Sequence, residues 1–378
     1  MKVFKAFSRD KFLRVQLICL SLIGIEEKIT LSNRIRFNIC FISMLIMDLA
    51  TVLFALKNIS DIALVCDSLA PLFTAYLGIV KQLCLVTHKR ELWQIIKHLK
   101  NFRDHATTNE LEALEKSSKL DQHLATAFLT SALTTGSLFV VAAIGRGLYN
   151  LIFNNVSYWP LPLPLSFPFD TSHPIVFVFL FIWSSVAICM VAFASVSSDA
   201  AFAGIASNLA VHFECIKLRF ADRKFFNGDE SLKNLIAYHD SILCLSQKLM
   251  ISFRIIIFQN LLVASVLLCA LGFQLVMFLG SSVMLIYLVY ATAIVIQVTF
   301  FAYYGSLLFY ESTSVADAIY CSNWYEASPK TRQILLQCIM RAQIPVNTRA
   351  GFMVASLPTM RAILNSAGSY VALLLSFT

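Results

Sequence analysis

The chain is poor in charged side chains. Asp, Glu, Lys and Arg make up 14% of its 378 residues, whereas hydrophobic residues make up 58%. Soluble domains usually contain about 25% charged and about 45–50% apolar residues. Charge is scarcest from Ile255 to Tyr310, where no Asp, Glu, Lys or Arg occurs. The composition excludes an ordinary soluble domain and predicts an all-α polytopic membrane protein.

The sequence also lacks the motifs that mark common catalytic and cofactor sites. It contains no phosphate-binding GxxxxGK[ST] or GxGxxG, no HExxH and no GxSxG. None of the ten cysteines forms a CxxC pair, and the seven histidines are scattered. We therefore expect neither an enzyme, a cofactor, a metal site nor a disulfide framework. The net charge is +8, and in a membrane protein the placement of the basic residues indicates orientation in the bilayer and not nucleic-acid binding.

Seven apolar segments are long enough to cross a bilayer, which requires about 20 helical residues. The predicted spans are residues 33–56, 65–87, 124–148, 174–197, 250–279, 283–310 and 352–377. The fifth and sixth are separated at Gly280, because the uncharged run from Ile255 to Tyr310 is far too long for one crossing.

The distribution of basic residues predicts the orientation. Of the 30 Lys and Arg residues, 28 lie in alternate connections, at 1–36, 81–119, 217–254 and 330–361. By the positive-inside rule the N-terminus is cytosolic, and with seven spans the C-terminus is extracellular. Basic residues are spread through positions 2–14, so we expect this first segment to be retained and not cleaved as a signal peptide.

Two features concern the predicted outer side of the protein, and the first agrees with this orientation. The glycosylation sequons at Asn58 and Asn155 both fall in predicted outer loops. The loop 149–173 is rich in aromatic residues and prolines, which remove backbone freedom. It is expected either to form a rigid lid over the bundle or to be an ordinary surface loop.

Three further helical features are predicted on the cytosolic side. Residues 110–120 have helical charge pairing, and 198–249 continue spans four and five. Ser328 and Pro329 have the residue types of a helix N-cap and first helical position. The helix that follows has an apolar face formed by Ile334, Leu335, Cys338, Ile339 and Ala342. This face is expected to pack on the inner extensions of spans four to six.

Polar residues within the spans restrict their surroundings, since lipid cannot satisfy them. In the last span Ser366, Ser369, Leu373, Ser376 and Phe377 share one side of a helix. This side either packs inside a bundle or lines a pore that Leu373 and Phe377 close. Asp48 is either a functional residue or a helix-packing residue with a polar partner. Arg361 either reaches lipid phosphate or places positive charge at the cytosolic end of such a pore.

Three classes of seven-helix protein fit these features unequally. A G-protein-coupled receptor would have its N-terminus outside and usually DRY and NPxxY motifs, which are missing. A transporter would be expected to show an internal repeat or paired broken helices, and no matching halves are visible. A channel needs a polar-faced helix repeated around an axis, and the last span supplies one.

The C-terminal residues give a more specific indication. The sequence resembles the insect odorant receptors through Tyr320…Trp324, Arg341-Ala342-Gln343-Ile344-Pro345, Ala350-Gly351-Phe352, Ser356-Leu357, Ile363-Leu364, Ser369-Tyr370 and Leu373-Leu374. The second span and its exit, LAPLFTAYLGIVKQLCLVTHKRELWQIIKHL, also resemble the family. Length and predicted topology agree over the whole chain.

The resemblance implies a subunit of a tetrameric, odorant-gated, non-selective cation channel in the plasma membrane of olfactory sensory neurons. The last helix would line the pore, with its hydrophobic constriction at Leu373 and Phe377. The segment 198–249 has no room for the insertion of the shared coreceptor, so this chain resembles a tuning subunit that assembles with that coreceptor. A seven-helix chemosensory receptor that signals without its own pore, for example through a G protein, is the alternative.

The resemblance also implies the domain organisation and the ligand site. Residues 1–32 would form a cytosolic segment, 33–310 a six-helix bundle, 311–350 a cytosolic anchor region and 351–378 the pore helix. A small volatile would bind in the outer half of the bundle. The residues predicted at that level are Phe73, Tyr76, Leu77, Val140, Ile144, Phe177, Phe181, Tyr287, Tyr290 and Ala291.

Overall fold

The computed structural model describes residues 12–154, 159–171, 173–221, 229–281 and 284–376. Within these ranges the chain is almost entirely helical. The helices are α1 (Arg14–Leu22), α2 (Leu31–Lys57), α3 (Ile62–Thr87), α4 (Lys89–Asp104), α5 (Thr108–Phe153), α6 (Pro174–Ala221), α7 (Asp229–Met277), α8 (Met284–Tyr320), α9 (Pro329–Ala342) and α10 (Leu357–Leu375). A short 3-10 helix, Trp324–Glu326, precedes α9. Two short strands, β1 (Arg349–Ala350) and β2 (Met353–Val354), pair as an antiparallel hairpin before α10.

Six of the described helices, α2, α3, α5, α6, α7 and α8, are long and apolar enough to cross a membrane. The final helix α10 has 19 residues and is not among the six, since Arg361, Asn365 and several serines interrupt its apolar sequence. The protein is therefore an all-α polytopic membrane protein with six long apolar helices and several shorter ones.

Most of the long helices extend beyond the predicted spans. Helix α5 begins at Thr108, where Thr107 and Glu110 form a capping box that satisfies free backbone N–H groups. Helix α6 continues to Ala221, and α7 begins at Asp229, as the prediction for 198–249 required. Helix α8 runs on to Tyr320, so the predicted domain boundary at 310 falls inside a continuous helix.

Helix α9 confirms the local prediction for the segment before the last span. The Ser328 hydroxyl caps the helix by accepting a hydrogen bond from Thr331 N, 3.2 Å away. Leu335, Cys338, Ile339 and Ala342 are buried, and the helix packs on α8. Two other short helices, α1 and α4, were not predicted.

Helix α6 occupies the centre of the bundle. It contacts α1, α2, α3, α5, α7 and α8, and the stretch from Val196 to Ile205 is almost completely buried. Small residues, mainly Ala, Ser and Gly, fill this stretch, and such residues allow neighbouring helices to approach closely. This buried helix therefore runs through the centre of the bundle and reaches the inner ends of the long helices.

Candidate functional site

A cavity of about 130 Å³ lies among α2, α3, α5, α6 and α8, with one residue of the outer loop. Its lining is predominantly apolar and comprises Met47, Pro71, Thr74, Phe128, Ala132, Thr135, Gly136, Phe139, Leu163, Ile188, Val191, Ala192, Ser195, Val196, Tyr290, Ala293, Ile294 and Gln297. We call it the inner cavity. Its volume is comparable with the ~150 Å³ apolar cavity that binds benzene in an engineered protein. A small organic molecule therefore fits it.

The polar atoms at one end of the inner cavity belong to Tyr290 and Thr74. The Tyr290 hydroxyl donates to the carbonyl oxygen of Ala70 at 2.9 Å and is also bonded to the Thr74 hydroxyl. Thr74 Oγ1 in turn lies 2.8 Å from the same carbonyl. The sequence analysis treated Tyr290 as a lining residue, and the structure shows that its hydroxyl is tied to α3.

A larger cavity of about 1440 Å³, here the outer cavity, lies next to the inner one. The outer-loop residues Trp159 to Leu165 all belong to its lining. Trp159 packs so closely on Gly147 that a Cβ there would lie 2.2 Å from its ring. Asp67 and Arg146 make this cavity more polar than the inner one, and Tyr287 OH donates to Asp67 Oδ1 at 2.8 Å.

Leu163 and Phe139 line both cavities and therefore lie at the boundary between them. Leu163 is 7% exposed, and its loop is fixed by a 3.0 Å hydrogen bond from Ser166 N to the carbonyl oxygen of Ala50. The Phe139 ring lies edge-on to Tyr290, with 6.2 Å between ring centroids. These two side chains are thus shared by the two cavities.

The structure brings only some of the ten predicted ligand-site residues to these cavities. Tyr290 lines the inner cavity, and Phe177 and Tyr287 line the outer one. Leu77 is buried, while Phe73, Val140, Phe181 and Ala291 are partly buried in the bundle. Tyr76 and Ile144 are 37% and 40% exposed on the outside of the chain. The four helices that carry the predicted residues, α3, α5, α6 and α8, all contribute to the cavity linings, but spacing along a helix does not fix its rotation about its own axis.

A buried polar network that the sequence analysis missed borders the inner cavity. Lys81 Nζ lies 2.8 Å from Asp199 Oδ2, and both side chains are inaccessible to solvent. Gln297, a lining residue, donates to Asp199 Oδ2 at 2.9 Å and to Asn260 Oδ1 at 2.8 Å. The network joins α3, α6, α7 and α8. The sequence did contain a signal for this ion pair, since two residues of opposite charge, Lys81 and Asp199, lie in or next to predicted spans.

Asp48, which was singled out in the sequence, is half-buried on α2. Its Oδ1 atom is buried and makes no hydrogen bond within the part of the chain that the structure describes. Asp67 on α3 is a second carboxylate within a predicted span, and it does have a partner in Tyr287. The sequence analysis noted only the first of these two.

Helix α10 has one packed side and one exposed side. Ile363, Leu364, Ala367 and Val371 face the bundle, and a Cβ at Gly272 on α7 would lie 2.4 Å from Val371 Cγ2. On the other side Ser366, Ser369, Leu373 and Ser376 are all exposed. Phe377, the other predicted constriction residue, lies outside the described residues. Arg361, near the start of α10, is also exposed.

Helix α8 is attached directly to the start of α10. Leu357 N donates to Ser306 Oγ at 3.0 Å, and Thr299 Oγ1 lies 3.3 Å from Met360 Sδ. A Cβ at Gly305 would lie 2.3 Å from the carbonyl oxygen of Ala355, so the two backbones are in close contact. Because Tyr290 and Gln297 are on the same helix, one rigid element connects the inner cavity with α10.

Of the two predicted glycosylation sites, Asn58 lies at the end of α2 in the short connection to α3. Its Nδ2 donates to the carbonyl oxygen of Phe54 at 2.9 Å. Asn155 lies outside the described residues.

Known proteins share this sequence pattern and fold. Residues 61–368 match the family model described as 7tm Odorant receptor. The chain is 25% identical to Odorant receptor 45a of Drosophila melanogaster over 372 residues, which cover 97% of this chain and 98% of the relative. It is 26% identical to Odorant receptor 82a of the same species over 382 residues, with coverage of 97% and 99%.

Among solved structures, the fold is similar to the insect olfactory receptor OR5 from Machilis hrabei in complex with eugenol. The TM-score is 0.83 at 15% sequence identity, and the alignment covers 100% of this chain and 98% of that one. The family model and the relatives together establish that this chain belongs to the insect odorant receptor family, a family of odorant-gated channels and not of enzymes.

Proposed function

We propose that this chain is the odorant-binding tuning subunit of a heteromeric, ligand-gated, non-selective cation channel. It assembles with the odorant receptor coreceptor in the plasma membrane of olfactory sensory neurons. The observation that carries the proposal is that one helix, α8, lines the inner cavity with Tyr290 and Gln297 and holds the start of α10 through Ser306.

The inner cavity is the proposed odorant site. It is predominantly apolar and is bordered towards the outer cavity by Leu163 and Phe139. Sites for small molecules are usually apolar and largely preformed in this way. Dispersion and exclusion of water would supply most of the affinity, because only five lining side chains carry hydrogen-bonding groups. The complex of the Machilis hrabei receptor with eugenol supports a small organic ligand.

The exposed side of α10 is the proposed pore lining. Ser366, Ser369, Leu373 and Ser376 share this side, which in a tetramer faces the other subunits around the axis. Serines can replace part of the hydration shell of a cation, and a ring containing Leu373 and Phe377 can block ions by excluding water. The opposite side of α10 packs on α7 and α8, as a pore helix inside a bundle should.

Odorant binding can favour the open channel only if the odorant binds the open state more tightly. A small rotation of α8 that improves contact with the odorant would shift Ser306 and the start of α10 with it. The Leu373 ring would then widen. Helix α7, which contacts α10 at Gly272, is the second element that can transmit such a shift.

Seven spans, a cytosolic N-terminus and an extracellular C-terminus complete the proposal. The clustering of 28 of the 30 Lys and Arg residues in alternate connections supports this orientation. The choice of a tuning subunit is supported by the short connection between α6 and α7, which runs only from Ala221 to Asp229.

Whole-cell recording from a heterologous cell tests the proposal. The chain is expressed alone and with an insect coreceptor, and a panel of volatiles is applied with G-protein signalling blocked. The expected result is a fast cation current that requires both subunits and survives the block. A response that the block abolishes would favour a G-protein-coupled receptor, and a full response without the coreceptor would exclude the tuning-subunit role.

A further inference from the structure

The hydrogen-bonding groups of the inner cavity are mostly already used within the protein. Five lining side chains carry polar hydrogens: Thr74, Thr135, Ser195, Tyr290 and Gln297. Which of these hydrogens are free decides what kind of polar group a ligand needs, since an unpaired polar atom in an apolar site is costly. The following inference rests on the proposed function of this cavity as the odorant site.

Tyr290 and Thr74 have no hydrogen left for a ligand. Their two hydroxyl groups contribute two hydrogens, and three short contacts link these hydroxyls to each other and to the carbonyl oxygen of Ala70. A carbonyl oxygen only accepts, so one hydroxyl donates to it and the other donates either to it or to the first hydroxyl. The pair can still accept a hydrogen bond. Thr135 is in the same condition, because its hydroxyl donates to the carbonyl oxygen of Ser131 at 2.9 Å.

Gln297 presents an acceptor and no donor. Its Nε2 atom must face Asp199, because a carboxylate oxygen accepts hydrogen bonds from the amide. The second hydrogen of Nε2 goes to Asn260 Oδ1, whose own amide donates to the carbonyl oxygen of Ile256. Both amide hydrogens are therefore used, and no described residue donates to Gln297 Oε1.

Ser195 carries the remaining side-chain donor. Other serines of α6, such as Ser185 and Ser197, donate to carbonyl oxygens of the preceding turn. Ser195 Oγ makes no hydrogen bond to any described residue, although it lines the cavity. It lies one helical turn before Asp199, the residue to which Gln297 donates, so the Ser195 hydroxyl and Gln297 Oε1 are at the same end of the cavity.

We propose that the inner cavity selects volatile alcohols and phenols over aldehydes, ketones, esters and ethers of the same carbon skeleton. A ligand O–H donates to Gln297 Oε1 and accepts from Ser195 Oγ, so both free groups are satisfied. A carbonyl or ether oxygen can accept only from Ser195 and leaves Gln297 Oε1 unpaired next to an apolar ligand. The apolar body of the ligand then lies against Ile188, Val191 and Ile294, towards Tyr290.

The test uses matched series that differ only in the polar group. Benzyl alcohol, benzaldehyde and anisole form one series of equal heavy-atom count, and hexanol, hexanal and methyl pentyl ether form another, with further aromatic, terpenoid and aliphatic compounds matched in the same way. Each compound is applied to cells that express this chain with an insect coreceptor. Within any series that produces current, the alcohol should have a half-effective concentration roughly tenfold lower or more, as expected for one unsatisfied hydrogen bond.

Two variants and one control separate the hydrogen bonds from general damage to the cavity. In S195A both classes lose the hydrogen bond from Ser195, so the half-effective concentrations of alcohols and of carbonyl compounds both rise, while the preference for alcohols remains because it rests on Gln297. In Q297M the acceptor is removed, and the preference falls towards unity. S185A is the control: it removes a helix serine that already donates to the carbonyl oxygen of Phe181 and does not line the cavity.

The outcomes distinguish this inference from the proposed function. Odorant currents with equal potency for alcohols and their carbonyl or ether partners would contradict the inference and leave the channel function in place. Surface-delivered subunits that respond to no volatile would overturn both. If Q297M does not reach the surface, S195A and the wild-type series still decide, because unchanged half-effective concentrations in S195A would contradict the role of Ser195.

Discussion

Lys81 Nζ lies 2.8 Å from Asp199 Oδ2, and neither side chain is accessible to solvent. Removing one partner of a buried ion pair leaves the other charge uncompensated, which usually costs about 3–5 kcal/mol. We predict that K81M strongly lowers surface delivery and the melting temperature of detergent-solubilised protein. The double variant K81M/D199N, which keeps an acceptor for the Gln297 amide, should recover most of that loss.

The matched control is K97M, because Lys97 pairs with Glu27 where both side chains are largely in contact with solvent. Such exposed pairs contribute about 0–1 kcal/mol, so K97M should melt close to the wild type. Equal destabilisation by K81M and K97M would show that burial of the first pair has no energetic consequence.

Leu163 lies at the boundary between the outer cavity and the proposed odorant site. L163A removes most of a buried side chain that lines both, and such changes leave space that the surroundings fill only partly. We predict that this variant responds to bulkier odorants and that its current rises faster after odorant application. L165A is the control, because Leu165 lines only the outer cavity. The same shift in L165A would mean that the loop as a whole, and not Leu163, determines size selectivity.

Close packing at Gly272 connects α7 with α10, the proposed pore helix. A Cβ at this position would lie 2.4 Å from Val371 Cγ2, so G272A must displace α10 or the Val371 side chain. We predict that G272A changes the unliganded current and that the double variant G272A/V371A restores it, as measured by a double-mutant cycle. G145A has no atom within 4 Å of the new methyl group and should behave as the wild type. Additive effects of the two substitutions would argue against contact between these positions in the working channel.

Leu373 is proposed to close the pore. Truncating a side chain in a hydrophobic constriction reduces the exclusion of water, so L373A should increase current in the absence of odorant several-fold. I182A removes a similar group from the outer surface of α6, where Ile182 is 59% exposed, and should leave this current unchanged. If I182A and L373A have the same effect, Leu373 has no special role in gating.

The sequence predicted the helices well where local chemistry determines them. Ser328 and Pro329 predict the start of α9. The uncharged run to Tyr310 requires a break, which occurs near Gly280, where φ is +81°. The pairing of Lys81 with Asp199 could not be predicted from the sequence. The two residues are 118 positions apart, and their contact depends on how α3 and α6 are rotated about their axes. The same uncertainty in helix rotation explains Tyr76 and Ile144. They were predicted to face a pocket, whereas in the structure they lie on the outside of the chain.

The shortest helices were missed for a different reason. Only His88 separates the end of α3 from the start of α4, so the sequence gives no clear boundary between the two helices. Helix α1 has only nine residues and is stabilised by packing against α6, whereas so short a helix has little stability of its own. Local sequence patterns do not contain these tertiary contacts.

The most direct measurement asks whether this chain lines the pathway that an odorant opens. S369C, expressed with the coreceptor, is treated with a positively charged methanethiosulfonate reagent while an odorant-evoked current flows. Ser369 lies one turn before Leu373 on the exposed side of α10, so the account predicts a loss of current that is fastest when the odorant is present. Wild type and I182C should be unaffected. An undiminished current from S369C channels that are shown to carry the label would contradict the account, because the pore would then not include this helix.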